Sequence, residues 1–144
     1  MNKFTILLLS SALAVSAETS VKLKDLPEAV QKTVAAQTKG ATLKGIAKEK
    51  EKGQTVYEVE TTVGGRTRDL MLDSAGGVIS IEEELTLDTI PALAKAGLEK
   101  LAAGGKISKV ESVTKGHTVT YEAVVSKGSK KSEVMVNADG TPAK

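Results

Sequence analysis

GQTVYEVETTVGGRTRDLMLD, residues 53–73, decides the fold. Tyr57, Val59, Thr61 and Val63 alternate with Glu58, Glu60 and Thr62, the period-two signature of a strand with one buried face. Gly64-Gly65 follows, a pair able to take positive φ at both centres of a tight turn. Arg68, Leu70 and Leu72 then alternate with Asp69, Met71 and Asp73. With Gly64 and Gly65 as the two loop residues, Val59 faces Leu70 and Tyr57 faces Leu72. The apolar side chains of the hairpin therefore meet on one face.

Upstream, Asp25-Leu26-Pro27-Glu28 reads as a helix start. It offers a capping side chain, a proline in the first turn and a glutamate placed to close a capping box. Leu26, Ala29, Val30, Thr33 and Val34 fall on one helical face, and Gly40 is placed to stop the helix. Residues 41–51 turn extended. Leu43 and Ile46 both point inward only if a bulge lies near Gly45. Downstream, residues 74–77 form a turn, and Val78 to Glu84 a fourth strand with Ile79 and Ile81 inward.

The same hairpin pattern returns at Thr118 to Asn137. Pro27 and Pro91 are 64 residues apart, and that offset also matches Gly40 with Gly104, Leu43 with Ile107, Tyr57 with Tyr121, Met71 with Met135 and Gly76 with Gly140. The fold class expected is α+β: a tandem repeat of a helix packed on an antiparallel β-meander sheet. The second copy is expected to be truncated at its last strand, where Pro142 would hinder pairing. Its first strand and turn should shift by a residue, since Gly53 pairs better with Gly116 than with His117. The units are 18–84 and 85–144, behind residues 1–17.

Those first residues read as a secretory signal peptide. Lys3 is the only charge before Glu18, the run from Ile6 to Val15 is apolar, and small residues follow. Cleavage is expected after Ala17, with Ala14 the alternative. The location implied is periplasmic or secreted, and bacterial, with no membrane contact after cleavage. No cysteine occurs, which removes disulfides and thiolate metal sites. The near-balance of 20 basic and 18 acidic residues gives no nucleic-acid footprint. After Phe4, only Tyr57 and Tyr121 are aromatic, so stacking platforms are scarce.

Catalytic patterns are missing too. His117 is the single histidine and sits in a turn. Glu82-Glu83-Glu84 lies on a strand, where alternate carboxylates point to opposite faces, so it reads as a solvated strand end. Asp73-Ser74-Ala75-Gly76 and Asn137-Ala138-Asp139-Gly140 have ordinary turn composition. No catalytic residue, cofactor or metal is expected, and the protein is not expected to be an enzyme. Met71 and Met135 point away from the helices. The face around Met71, with Glu58, Glu60, Asp69 and Asp73, reads as solvated. The face around Met135, with Glu122, Val124 and Glu133 and with Ser112 and Thr114 beside them, is less charged and suits binding. Arg66 and Arg68 flank the Gly64-Gly65 turn and are the chain's only arginines. The protein-contact candidates are therefore Arg66, Arg68, Val124 and Met135.

Leu-Pro-Glu-Ala-Val at 26–30, Gly40-Ala41, Tyr57-Glu58-Val59-Glu60, Asp69-Leu70-Met71-Leu72-Asp73 and the second start at Ile90-Pro91 resemble the PepSY-like proteins, also described as β-lactamase-inhibitor-like. The resemblance implies a helix on an antiparallel sheet, often as a tandem pair forming a saddle, in the bacterial periplasm or exterior. It implies a non-catalytic binding module that inhibits or regulates an envelope enzyme such as a peptidase, with a periplasmic or extracellular protein as partner. A small-ligand or ion-binding periplasmic sensor is the alternative.

Overall fold

The computed structural model describes residues 18–143. The expected signal segment, 1–17, lies outside the described residues. The strands are β1 (Thr19–Ser20), β2 (Thr42–Glu51), β3 (Gln54–Val63), β4 (Arg66–Asp73), β5 (Val78–Leu85), β6 (Lys106–Lys115), β7 (Thr118–Lys127) and β8 (Lys130–Asn137). Helix α1 (Glu28–Gln37) precedes β2, and α2 (Ala92–Ala102) lies between β5 and β6. All eight strands form one antiparallel sheet in sequence order, so the architecture is α+β. β5 pairs with β6 from Ile81↔Thr114 to Leu85↔Val110, which makes the sheet continuous.

The central hairpin has the register that its sequence dictates, with Val59 opposite Leu70 and Tyr57 opposite Leu72. Gly64 and Gly65 have φ of 58° and 82°, the left-handed pair that matches the strands' twist. Both helices pack on the same sheet face. Val30 and Val34 of α1 meet Ile46, Tyr57, Val59, Leu70 and Leu72, all buried. Ala94 and Leu98 of α2 meet Val110, Ala123 and Val136, with Tyr121 and Leu85 against them. Each helix thus seals a small apolar core on one side of the sheet, leaving the other side without a helix.

A β-bulge separates Leu43 from Gly45 in β2, beside Gly45 as expected, although Leu43 is exposed and only Ile46 is buried, and another separates Ile107 from Lys109 in β6. That second bulge corrects one expectation: Ser112 lies opposite Tyr121 on the helix side, while Glu111 and Val113 occupy the bare face. The expected one-residue shift of the second turn does not occur. Lys52-Gly53 and Gly116-His117 each close a two-residue loop, between Glu51↔Gln54 and Lys115↔Thr118. Only the glycine has changed place.

Two further expectations are corrected. Ile79 does not point inward. The β4–β5 register jumps from Met71↔Ser80 to Leu72↔Val78, so Ile79 is the extra residue of a bulge and is exposed. Asp25 does not cap α1. It ends a short 3-10 turn at Leu23–Asp25, and Pro27 holds the cap position with no side-chain hydrogen bond. The residue before a proline avoids helical geometry, so Leu26 stays extended and the helix begins after Pro27. Gln31 Nε2 instead donates to the Leu26 carbonyl at 2.9 Å.

The helices are fixed to the turns after β4 and β8 in two different ways. Thr33 Oγ1 donates to the Gly76 carbonyl at 2.7 Å. On α2, Gly97 takes the corresponding place, and a β-carbon there would lie 2.4 Å from the Gly140 oxygen. A hydroxyl makes the first junction, and direct backbone approach makes the second.

Candidate functional site: the helix-free face of the sheet

Strand alternation places Glu58, Glu60, Asp69, Met71, Glu82, Glu111, Glu122 and Val124 on the face opposite the helices. Register then aligns them across strands. Glu60 is opposite Asp69, Asp69 opposite Glu82, and Glu82 opposite Val113. One step along, Glu84 is opposite Glu111 and Glu111 opposite Glu122. Two transverse rows of carboxylates result, Glu60–Asp69–Glu82 within the first half of the chain and Glu84–Glu111–Glu122 running from that half into the second. They line a groove of about 730 Å³, together with Thr61, Thr67, Val124, Glu133 and three lysines, Lys44, Lys109 and Lys131.

This face is not the solvated surface expected around Met71. Met71, Glu58 and Asp69 are each less than a tenth exposed. Burial pushes the Glu58 carboxyl up to about 8, aided by the charges of Glu49 and Asp69. Glu49 is raised by burial and by Glu18, and it hydrogen-bonds Glu58. Such a carboxyl–carboxyl bond requires one proton between the pair. Burial likewise raises Glu122 to about 7, with Glu133 and Glu82 adding to it. Asp69 is raised by burial to about 6, against the pull of the Thr61 N–H, which donates to its Oδ1 at 3.2 Å, and of Lys109. Glu82 is raised by burial and by its neighbours Glu111 and Asp69.

Lys109 is the cation in the middle of these rows. Its ammonium lies 2.5 Å from Glu111 Oε1, a buried atom that receives no directed hydrogen bond. Burial opposes its charge, but Glu111, Asp69 and Glu84 outweigh burial and hold its pKa above the ordinary lysine value. Replacing Lys109 by Met leaves those carboxylates facing one another. The expected loss at pH 8 is about 1–2 kcal/mol, reduced from a fully buried pair because the lysine is partly exposed. At pH 5 Asp69 is largely protonated and the loss should shrink. Urea melts at the two pH values check this, and equal losses would show that the lysine acts by packing alone.

Glu82-Glu83-Glu84 splits between faces as strand geometry requires. Glu84 Oε2 accepts from Thr67 N at 3.0 Å, whereas Glu83 pairs with Arg68 at 3.0 Å. Glu82 and Glu84 are part-buried members of the groove, so the solvated-end reading holds only for Glu83. Among the described residues, Glu18, Glu49 and Glu58 also gather their oxygens within 4.8 Å of one another near the β1 edge.

The four contact candidates do not come together. Arg66 is exposed beside the Gly64-Gly65 turn. Arg68 faces the helices, where its Nη1 donates to the Gln37 carbonyl at 3.1 Å and so holds the end of α1. Val124 lines the groove, and Met135 is opposite Glu122 on the same face. The groove's second acidic row went unread in the sequence because it exists only once β5 and β6 are paired. His117 is an exposed turn residue, and Asp73 Oδ1 accepts from Ala75 N and Gly77 N as a turn-former. No helix among the described residues is long and apolar enough to cross a membrane.

Residues 26–80 match the family of the peptidase propeptide and YPEB domain, PepSY. No curated protein matches the chain. Among solved structures, the chain resembles one from Bacteroides eggerthii, provisionally described as periplasmic, with a TM-score of 0.69 and 18% identity, covering 83% of this chain and 86% of that one. A DUF2874 family protein from Bacteroides ovatus gives a TM-score of 0.66 at 18% identity, covering 83% and 85%. A BLIP-like protein from Bacteroides fragilis gives 0.63 at 18% identity, covering 83% and 84%. At that identity the likeness is one of fold. The chain thus carries a match to the PepSY family over residues 26–80 and shares its fold with these structures.

Proposed function

We propose that this protein is a secreted, non-catalytic binding module that uses the helix-free sheet face to hold another protein, regulating or inhibiting an envelope enzyme such as a peptidase. The observation that carries the reading is the groove of about 730 Å³ on a face to which no helix is applied. Adaptable and apolar side chains, Val124 and Met135, stand beside the carboxylates there, as interface surfaces often combine them. The apolar N-terminal run supports export through a signal peptide of residues 1–17. The description of the Bacteroides eggerthii relative as periplasmic fits that address.

The repeated order of elements supports two units, 18–84 and 85–144, arisen from one design. Pro27 and Pro91 cap their helices with nearly equal φ of −54° and −53°. Leu72↔Val78 and Val136↔Pro142 are the corresponding pairs, with Pro142 in the place of Val78.

Photo-crosslinking in the bacterial envelope tests the contact face. A crosslinker at Val124 should capture a discrete partner, and one at Leu93, exposed on the helix side, should not. Capture from Leu93 but not Val124 would move the contact to the helices and sink the reading. A second reading, ion binding, draws on the carboxylates of Glu18, Glu49 and Glu58. Calorimetry with calcium decides it, since a bound ion must also raise the melting temperature.

A further inference from the structure

The partner's chemistry follows from the charge of the groove. We infer that the groove across the sheet receives an extended, lysine- and arginine-bearing segment of a partner protein, laid across the carboxylate rows Glu60–Asp69–Glu82 and Glu84–Glu111–Glu122. This inference rests on the proposed contact face and specifies what that face accepts.

Three observations carry it. First, the groove's sign is opposite to that of the chain. The whole sequence has a formal net charge of +2, yet seven carboxylates and three lysines line the groove. Second, one of those carboxylates, Glu111, has a buried oxygen with no directed hydrogen bond. Glu111 is nine-tenths buried, and its Oε1 has only the Lys109 ammonium beside it. An incoming guanidinium or ammonium supplies the donors that such oxygens lack. Third, the shape is long. The rows cross strands β3 to β7, roughly 20 Å at ordinary strand spacing, which an extended segment of about six residues spans. A compact cation would meet only one or two of the carboxylates, whereas a segment meets both rows. Val124 gives its apolar parts a place to lie. The raised carboxyls fit this reading, because a bound cation would displace the protons that burial now favours.

The test uses the whole protein and three octapeptides: one alternating lysine or arginine with threonine, one with the basic positions changed to glutamate, and one neutral. Binding is measured by calorimetry and located by NMR shifts at low salt. The basic peptide should bind with its shifts on Asp69, Glu82 and Glu122. A double variant, Glu82→Gln with Glu122→Gln, should weaken it by about tenfold or more, and 0.3 M salt should weaken it comparably. Glu83→Gln lies on the other face and should leave binding within about twofold. The double variant should keep its melting temperature at pH 5, which separates lost charge from lost fold. Spermidine binding as tightly as the basic peptide would overturn the extended segment as occupant. A neutral or acidic peptide binding equally well on this face would overturn the charge assignment while leaving the contact face intact. No shift on this face with any peptide, together with no crosslinks from Val124, would overturn the inference and the proposed function together.

Discussion

Gly140→Ala should destabilise this protein by about 4 kcal/mol, whereas Gly104→Ala, at nearly the same backbone angle, should cost only about 1. Both glycines are left-handed, with φ of 82° and 80°. Any L-residue there carries the conformational penalty of that region. The difference is space. A β-carbon on Gly104 meets nothing within 4 Å, but on Gly140 it would lie 2.3 Å from the Leu93 oxygen and 3.0 Å from the Leu93 carbonyl carbon. Those are backbone atoms of the first turn of α2, so relief requires moving the helix off its core. Leu98, fully buried beneath it, would lose contact as the helix lifts. Gly97→Ala should behave like Gly140→Ala, since it enters the same junction from the other side. Denaturant melts of the three variants provide the check. Equal midpoints for Gly140→Ala and Gly104→Ala would show that α2 does not depend on this close approach.

The second large effect is on pH. The protein should lose stability as pH rises from about 4 to about 8, the reverse of the usual acid sensitivity. Glu58, Glu122 and Asp69 have folded-state values of about 8, 7 and 6. In the unfolded chain all three titrate near 4. The folded state therefore binds more protons across that interval, and stability falls wherever it does so. Below about 4 both states are protonated and the full stability is present; above about 8 both are ionised and the loss is complete. Water reaches this face, so the shifts translate to roughly 3 kcal/mol in total, well below their nominal sum. For a chain of this size that is a fall in Tm of roughly 10 °C. Lys109 does not disturb the trend, since its own change lies at higher pH. Glu58→Gln should remove the largest share and raise Tm at pH 8. A flat profile between pH 5 and 8, or a Glu58→Gln protein as pH-sensitive as the parent, would show that these carboxyls are solvated.

Much of the first half of the fold is legible because local chemistry leaves little choice. Two adjacent glycines between alternating strands determine the turn, and the turn determines which side of β3 meets which side of β4. The proline at 27 places the start of α1 to within a residue or two. The capping role of Asp25 could not be read so directly, because the extended residue before the proline moves it out of range. Ile79 misleads for a different reason. Its apolar side chain suggests an inward position, but the β4–β5 bulge is invisible until the register on both sides is known. The candidate site is the least legible part. Glu82 and Glu111 are 29 positions apart in sequence, and nothing near either one announces the other. Their meeting depends on β5 and β6 forming a pair across an intervening helix. Arg68 shows the converse. It has the side chain of an interface anchor, yet α1 ends close enough to use it internally.

The β5–β6 seam has a final consequence. β5 hydrogen-bonds to β4 on one side and β6 on the other, so neither half of the chain has its own finished border there. Separated at the linker after Leu85, each piece would present a bare row of amides and carbonyls. Such rows seek partners, and the fragments would tend to rejoin or clump. Whatever their ancestry, the halves now share custody of one wall.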